Sequence, residues 1–185
     1  MSIVRTYSIN GKVINYTIKY RRIRYPRLEF KTGNLVLVLP QDYNDDTGLI
    51  EKHKRWVESR LRMIHEALEQ STSLQLEKRD NIEFRELVKK IAEEKGEFKG
   101  KIRNIYIRRM YSKWASYSAK KNLTINSLAR YLPEELLEYI ILHEVTHARQ
   151  KRHNSSFWGM ISKAYPDFES QEKKLFGYWF AVNRL

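Results

Sequence analysis

The stretch "ILHEVTHARQKRH" (residues 141–153) carries three of the chain's five histidines and one glutamate. It follows "LPEELLEYI" (132–140), where Pro133 and the two adjacent glutamates favour a helix start and the apolar residues favour burial. We therefore predict one helix over 132–151. Histidine and glutamate side chains are poorly tolerated on a buried helix unless they are paired or bound to a metal. The motif is therefore a candidate metal site.

His143 and His147 are four residues apart, so they lie one turn apart on the same helix face. Both imidazoles can therefore bind a single ion, and Glu144 lies beside them, where its carboxylate can reach a water activated by that ion. This is the H-E-x-x-H pattern. A zinc ion lowers the pKa of water from about 15.7 to about 7, and a nearby carboxylate can then accept the proton. We predict that His143 and His147 bind zinc and that Glu144 is the general base.

Catalytic zinc usually has three protein ligands, and His153 is the predicted third. The apolar periodicity stops after the motif, and Asn154 or Ser155 can cap a following helix, so the chain can bend back. The spacing from the first histidine of the motif equals that of the metzincin signature, but Gln150 stands where that signature has glycine. A different bend is therefore expected. The alternative third ligands are the acids Asp167, Glu169 and Glu172.

The chain contains no cysteine, so any metal must be bound by histidine or carboxylate side chains. Three histidines suit zinc, but they also suit nickel, cobalt or copper. A second partial motif, "HEALE" (65–69), begins in the same way but lacks the second histidine. We interpret His65, Glu66 and His53 as ordinary helix residues.

The chain is strongly basic, with 35 Lys and Arg against 22 Asp and Glu and a net charge of +13. The positive residues cluster in 19–27, 107–114 and 149–152. Such a surface attracts polyanions, so nucleic acid is a possible partner, although solvated basic faces are common. No apolar run is long enough for a membrane span, and the first residues lack the apolar core of a signal peptide. A cytoplasmic location without membrane contact is the expectation.

The pattern along the 185 residues predicts one α+β domain, with a β-rich part and a helix over 1–75 and a catalytic core over 80–185. Asn10-Gly11 predicts a hairpin turn, and Pro26 limits any strand there to a sheet edge. The predicted strands lie within 3–39, including one over 34–40, and over 101–110 and 122–126. The other predicted helices cover 45–70, 80–95 (ending at Gly96), 155–165 and 169–181, the last two separated by Pro166.

A longer pattern surrounds the histidine motif. Its residues are Arg109, Trp114, Ser116, Ser118, Leu123 to Asn126, Leu132, Pro133, Tyr139, His143, Glu144, His147, His153, Phe157, Trp158, Pro166, Asp167 and Phe168. With these residues the sequence resembles the YgjP-like metal-dependent hydrolases, which are relatives of the SprT-like and WLM metallopeptidases. The resemblance covers most of the chain and is most specific over 109–168. Ala115 and Tyr117 depart from the family pattern, which has Gly and Cys at these positions.

The resemblance implies a zincin-like α+β core in which His143, His147 and His153 hold zinc and Glu144 is the general base. An edge strand in such a fold can pair with an extended peptide substrate, and we predict that "NLTIN" (122–126) is that strand. Candidates for substrate or oxyanion contacts are Tyr117, Tyr165 and Asn126. The aromatic residues Trp114, Phe157 and Trp158 are interpreted as core packing.

Three functions remain open at the level of sequence. The first is a zinc-dependent peptidase acting on peptide or protein substrates. The second is a nucleoside triphosphate pyrophosphohydrolase on the same metal site, since the resembled family has been linked to that reaction and a basic surface suits phosphates. The third is a non-enzymatic, nucleic-acid-associated module with a structural metal, a reading that rests on analogy with SprT-like proteins.

Overall fold

The computed structural model describes residues 3–31, 33–94 and 100–184. It divides the chain into two units, 1–66 and 67–185, which are described in turn. The predicted α+β class is confirmed, whereas the grouping of both units into one domain stays a prediction. None of the helices in the described ranges is long and apolar enough to cross a lipid bilayer.

The first unit begins with the predicted hairpin. Strands β1 (Ile3–Ile9) and β2 (Lys12–Tyr20) pair antiparallel, and Ile9 lies opposite Lys12. The turn residues Asn10 and Gly11 both have positive φ, at 48° and 77°. A two-residue turn of this kind requires positive φ at both positions, and Asn-Gly meets the requirement with little strain. The hairpin prediction is confirmed.

Two further strands, β3 (Arg27–Lys31) and β4 (Asn34–Leu39), complete a sheet of order β1-β2-β4-β3. Strand β4 is central, parallel to β2 and antiparallel to β3. Its residues from Leu35 to Leu39, which point alternately to the two faces of the sheet, are all buried, so both faces are covered at this strand. Strand β3 begins just after Pro26 and is an edge strand, as predicted.

The helical segment after this sheet differs from the prediction of one helix over 45–70. The chain forms α1 (Asp46–Lys52) and α2 (Lys54–Ser73), separated at His53. No residue at the break is Pro or Gly, so apolar spacing alone could not reveal it. The helix also continues through Ser73, since the hydroxyls of Ser71, Thr72 and Ser73 donate to carbonyls three residues earlier.

A buried polar cluster ties α1 to the sheet of the first unit. The Asp46 carboxylate accepts from the Tyr16 hydroxyl at 2.6 Å and from the Arg5 guanidinium at 3.0 Å. Burial, followed by the hydrogen bond to Asp46, raises the pKa of Tyr16 to about 12. Burial opposes the charged carboxylate, but the contacts with Tyr16 and Arg5 outweigh it and lower the pKa of Asp46. Each polar group in the cluster therefore has a partner.

The second unit contains a three-stranded sheet of order β5-β7-β6, built from β5 (Asn104–Arg108), β6 (Ala115–Tyr117) and β7 (Asn122–Asn126). The sequence prediction included β5, as a longer strand over 101–110, and β7, but not the three-residue β6. The prediction that 122–126 is an edge strand is wrong, because β7 is hydrogen-bonded on both sides. The strands at the edges are β5 and β6.

Four helices pack with this sheet: α3 (Asn81–Glu94), α4 (Glu134–Thr146), α5 (Ser155–Ala164) and α6 (Phe168–Val182). A 3₁₀ helix (Ser127–Tyr131) precedes α4. The predicted end of α3 at Gly96 lies outside the described residues. Helix α4 is the centre of the core, since Leu137, Tyr139 and Ile141 are fully buried. It is shorter than the predicted 132–151, because Pro133 caps it and it ends at Thr146.

Candidate metal centre

Three imidazoles meet at the C-terminal end of α4. The Nε2 atoms of His143 and His153 lie 2.9 Å apart, and the ring centre of His147 lies 5.2 Å from that of His143 and 4.7 Å from that of His153. One ring nitrogen of each histidine lies within 4.8 Å of the other two. Across 3–31, 33–94 and 100–184, no other trio of histidine or acidic residues comes together in this way.

The end of α4 brings His153 to the other two histidines. His147 is the C-cap residue, and Arg149 and Gln150 both donate backbone hydrogen bonds to the Thr146 carbonyl in a tight turn. The chain then reverses, and the Asn154 side chain caps α5 by accepting from the Phe157 amide at 3.0 Å. The predicted bend is confirmed, and Asn154 is its capping residue.

Two of the imidazoles have an acceptor for the nitrogen that does not face the cluster. Nδ1 of His147 lies 2.9 Å from the Gln150 carbonyl oxygen, and Nδ1 of His143 lies 3.5 Å from the Glu172 carboxylate. Glu172 also accepts from the Tyr139 hydroxyl at 2.7 Å. A hydrogen bond at Nδ1 favours the tautomer whose Nε2 lone pair is free to bind metal.

The Phe157 ring packs against all three imidazoles. Its side chain is fully buried, and its ring centre lies 4.9, 4.8 and 4.6 Å from those of His143, His147 and His153. Trp158 stacks on His153 at 5.6 Å and on Phe168 at 4.7 Å. The interpretation of these aromatic residues as packing is therefore supported, with the additional finding that they pack against the imidazoles themselves.

The electrostatics of the cluster favour a neutral His153 and an ionised Glu172. Partial desolvation, followed by the proximity of His143 and His147, lowers the pKa of His153, so the ring loses its proton more readily. Burial acts against the charge of Glu172, but its contacts with His143 and Tyr139 outweigh that effect and lower its pKa. Metal ions bind the neutral form of histidine. The pKa of His153 is therefore shifted in the direction that favours metal binding.

The geometry also fits a tetrahedral ion. Two nitrogens that each lie about 2.1 Å from zinc in a tetrahedral site are about 3.4 Å apart. The observed 2.9 Å between His143 and His153 requires a shift of only a few tenths of an ångström. The alternative third ligands Asp167 and Glu169 do not belong to the cluster, and Glu172 contacts Nδ1 of His143, on the far side of that ring. Of the four candidates, His153 is therefore the one that can complete the site.

Glu144 is held by the sheet. Its Oε2 accepts the backbone N–H of Tyr117 on the edge strand β6 at 2.9 Å. In the part of the chain that the structure describes, its other oxygen, Oε1, accepts no hydrogen bond. Glu144 and His143 both line a cavity of 190 Å³. A carboxylate with one fixed and one available oxygen, facing the same cavity as a metal ligand, is suited to proton transfer.

The three residues predicted to contact substrate or an oxyanion are used differently. Asn126 has no exposed surface; its side chain binds the backbone of Met110, Lys113 and Leu128, so that prediction is wrong. The Tyr117 hydroxyl donates to the Lys101 carbonyl, and the Tyr165 hydroxyl donates to Glu138 at 3.4 Å. Because both hydroxyl hydrogens are already donated, we assign neither tyrosine an oxyanion role.

Two parts of the site were not predicted from the sequence. Glu172 was expected only as an alternative ligand, but its carboxylate lies beside Nδ1 of His143. The backbone carbonyl of Gln150, which lies beside Nδ1 of His147, had no predicted role. Tyr139, one turn before His143 on the same helix, was a usable signal for the role of Glu172, because a buried tyrosine needs a hydrogen-bond acceptor.

The fold and the site together define a protein with an HExxH helix, a small sheet and a cluster of three histidines suited to metal. The profile of the YgjP-like metallopeptidase domain matches residues 65–177. The chain therefore belongs to the YgjP-like family. None of the curated proteins matches the chain.

A solved structure also resembles the chain. It is the crystal structure of the metallopeptidase zymogen jannalysin of Methanocaldococcus jannaschii, with 32% sequence identity and a TM-score of 0.40. The match covers 53% of this chain and 93% of that one.

The first prediction concerns metal content. After zinc loading and dialysis, we expect about one zinc ion per wild-type chain and much less in His147→Ala and His153→Ala, because two imidazoles cannot complete a three-ligand site. His65→Ala is the matched control, since His65 lies outside the cluster, and it should retain the wild-type content. Elemental analysis measures all four proteins. Wild-type zinc content in His153→Ala would contradict the assignment.

The second prediction concerns Glu172. Replacing it with Gln removes the negative charge opposite His143 while keeping an oxygen acceptor, so zinc affinity should fall by about 10-fold or more. Competition with a chromophoric chelator measures the dissociation constant. Glu169→Gln, on the same helix but outside the contacts of His143, should leave the affinity unchanged. Equal affinities of the two variants would show that Glu172 does not support the ligand.

Proposed function

We propose that the protein is a zinc-dependent peptidase in which His143, His147 and His153 hold the ion and Glu144 is the general base. The observation that carries the proposal is the convergence of three imidazoles beside a carboxylate that has one oxygen available. Membership of a metallopeptidase family supports a peptide or protein substrate. Zinc is preferred among the divalent metals because three imidazoles that leave an open fourth position suit its catalytic sites.

Different residues of the chain support different parts of the proposed reaction. A bound zinc ion supplies Lewis acidity and makes water acidic enough to lose a proton near neutral pH. The Tyr117 amide fixes one oxygen of Glu144, so that the other, Oε1, can accept that proton and later pass it to the leaving amine. Glu172 and the Gln150 carbonyl lie at Nδ1 of two imidazoles and favour the tautomer whose Nε2 lone pair would be available to the ion.

The chemistry of the cavity favours a peptide over a nucleoside triphosphate. The cavity beside His143 is bordered by the carboxylates of Glu144 and Glu172 and by one cation, Lys113. A triphosphate carries several negative charges, which two carboxylates would repel and one lysine would not balance. A peptide bond is neutral and meets no such repulsion. The position of Glu144 at the cavity also favours an enzyme over a purely structural metal site.

The third prediction tests the catalytic role of Glu144. Glu144→Gln should lower kcat/KM for casein and for quenched fluorescent peptides by at least about 100-fold, because the amide cannot accept the proton. Its zinc content should match that of the wild type, because Glu144 is not a ligand. Glu134→Gln, in the first turn of the same helix, is the control that should retain activity.

The same proteins are then tested on a panel of nucleoside triphosphates. Peptide hydrolysis that survives in Glu144→Gln would contradict the mechanism. If the wild type instead hydrolyses nucleotides but not peptides, and Glu144→Gln loses that activity, the result would support the pyrophosphohydrolase.

We further propose that single-stranded nucleic acid binds to the basic loop between β2 and β3 of the first unit, residues 21–26. Arg21, Arg22 and Arg24 are exposed, and no carboxylate of the described residues pairs with them. Tyr25 is 68% exposed, and the Arg24 guanidinium lies over its ring at 5.1 Å. Unpaired cations beside exposed aromatic rings suit a strand whose phosphates bind the cations and whose bases stack on the rings.

The fourth prediction concerns this loop. Changing Arg21, Arg22 and Arg24 to Gln should weaken binding of a fluorescent oligonucleotide and lower the slope of log K against log salt by about 2, since about 0.7 counterions are released per phosphate contact. The control changes Lys52, Arg55 and Arg62 to Gln, which removes the same charge from exposed positions of the same unit. Equal losses in both proteins would indicate a general charge effect and contradict a site at the loop.

A further inference from the structure

The cavity of 190 Å³ beside the metal centre is lined by both reactive and apolar side chains. His143 and Glu144 are the reactive ones. Trp114, Ala115, Ile140 and Leu175 form an apolar wall, and Lys113, Tyr139 and Glu172 complete the lining. A substrate whose scissile bond lies at Glu144 therefore has an apolar cavity within reach of one neighbouring side chain.

Two residues of the apolar wall, Ala115 and Trp114, are fixed by strand pairing, a hydrogen bond and ring packing. Ala115 is 2% exposed and is fixed in β6 opposite Ile125 of the central strand. The Trp114 indole N–H donates to the Leu175 carbonyl at 3.3 Å, and its ring packs edge-on against Trp179 at 5.1 Å. The single polar group of the indole is therefore already satisfied, and the wall offers a visiting side chain only carbon surface.

Two of the polar groups that line the cavity, the Glu172 carboxylate and one oxygen of Glu144, already have partners. Glu172 accepts from the Tyr139 hydroxyl at 2.7 Å and lies 3.5 Å from Nδ1 of His143. Glu144 accepts from the Tyr117 amide. A polar side chain that entered the cavity would lose hydrogen bonds to water, and one with a negative charge would face two carboxylates. The four apolar residues of the wall therefore favour an apolar side chain, and the two carboxylates disfavour an anionic one.

The volume limits the size of that side chain. A water molecule takes about 30 Å³ in the liquid, so the cavity has room for about six non-hydrogen groups. Leucine, isoleucine and methionine side chains fit this space, and a tryptophan side chain does not. We propose that the cavity is a specificity subsite that receives an aliphatic side chain of this size from the peptide residue next to the scissile bond. The proposal rests on the peptidase function proposed above and adds its substrate preference.

The test measures binding separately from turnover. Zinc-loaded Glu144→Gln is titrated calorimetrically with peptides that differ at one position, which carries Leu, Ala, Lys or Asp. The Leu peptide should bind at least about 10-fold more tightly than the other three, in line with the discrimination of apolar pockets. In the wild type, the same order should hold for kcat/KM, and the cleaved bond should lie next to the varied residue.

Ala115 supplies the structural control. Adding Ala115→Val to the Glu144→Gln background should lower the Leu-to-Ala affinity ratio by about 10-fold, because the added methyl groups fill the cavity. Ser116→Val introduces the same side chain at the next position of β6, which points to the other face of the sheet, and should leave the ratio unchanged. Ala115→Gly removes a methyl group without crowding and should shift preference toward the larger Phe.

The outcomes separate the two proposals. One outcome is that the wild type cleaves no peptide while Glu144→Gln still prefers the Leu peptide and loses that preference when Ala115 is changed. This result would contradict the peptidase function and support the subsite. Tightest binding of the Lys or Asp peptide, or equal binding of all four, would overturn the subsite. So would a Leu-to-Ala ratio that is unchanged in Ala115→Val, a variant whose folding is checked by circular dichroism. If that variant does not fold, an unchanged Leu-to-Phe ratio in Ala115→Gly, measured with a fifth peptide that carries Phe, would overturn the subsite.

Discussion

The metal centre depends on where helix α4 ends. In a continuous helix, His143 and His153 would lie about 15 Å apart along the axis, because each residue advances the chain by about 1.5 Å. Because the helix stops at Thr146 and the chain turns back, their Nε2 atoms lie 2.9 Å apart instead. The turn bonds to the Thr146 carbonyl and the Asn154 cap on α5 fix this reversal. The three-histidine cluster depends on this reversal.

Apolar packing gives the polar cluster its precision. Phe157 is fully buried, and its ring centre lies within 5 Å of those of all three imidazoles. Burial of this kind limits the rotamers that the ligands can adopt before metal binds. The Gln150 carbonyl and the Glu172 carboxylate then select the tautomers of two rings. Packing thus fixes position, and hydrogen bonds fix protonation.

The sheet contributes the other half of the site. Strand β6 has only three residues, yet it supplies the amide that holds Glu144 and the alanine that lines the cavity. Its position is set by Asn126, whose buried amide binds the carbonyls of Met110 and Lys113 and so ties the β5–β6 connection to β7. A fully buried side chain with this many backbone partners has a structural role. Without these hydrogen bonds, we expect both Glu144 and the cavity wall to move.

The sequence by itself determined the features that depend on local spacing. The Asn10-Gly11 turn, the edge strand after Pro26 and the shared face of His143 and His147 could all be predicted, because each follows from the geometry of one element. Tertiary structure decided the rest. The central position of β7, the unpredicted strand β6 and the pairing of Glu172 with His143, 29 residues earlier, arise from contacts between elements that are distant along the chain. Local patterns record how residues repeat within one helix or strand, and they contain no information about which neighbour will satisfy a buried polar group.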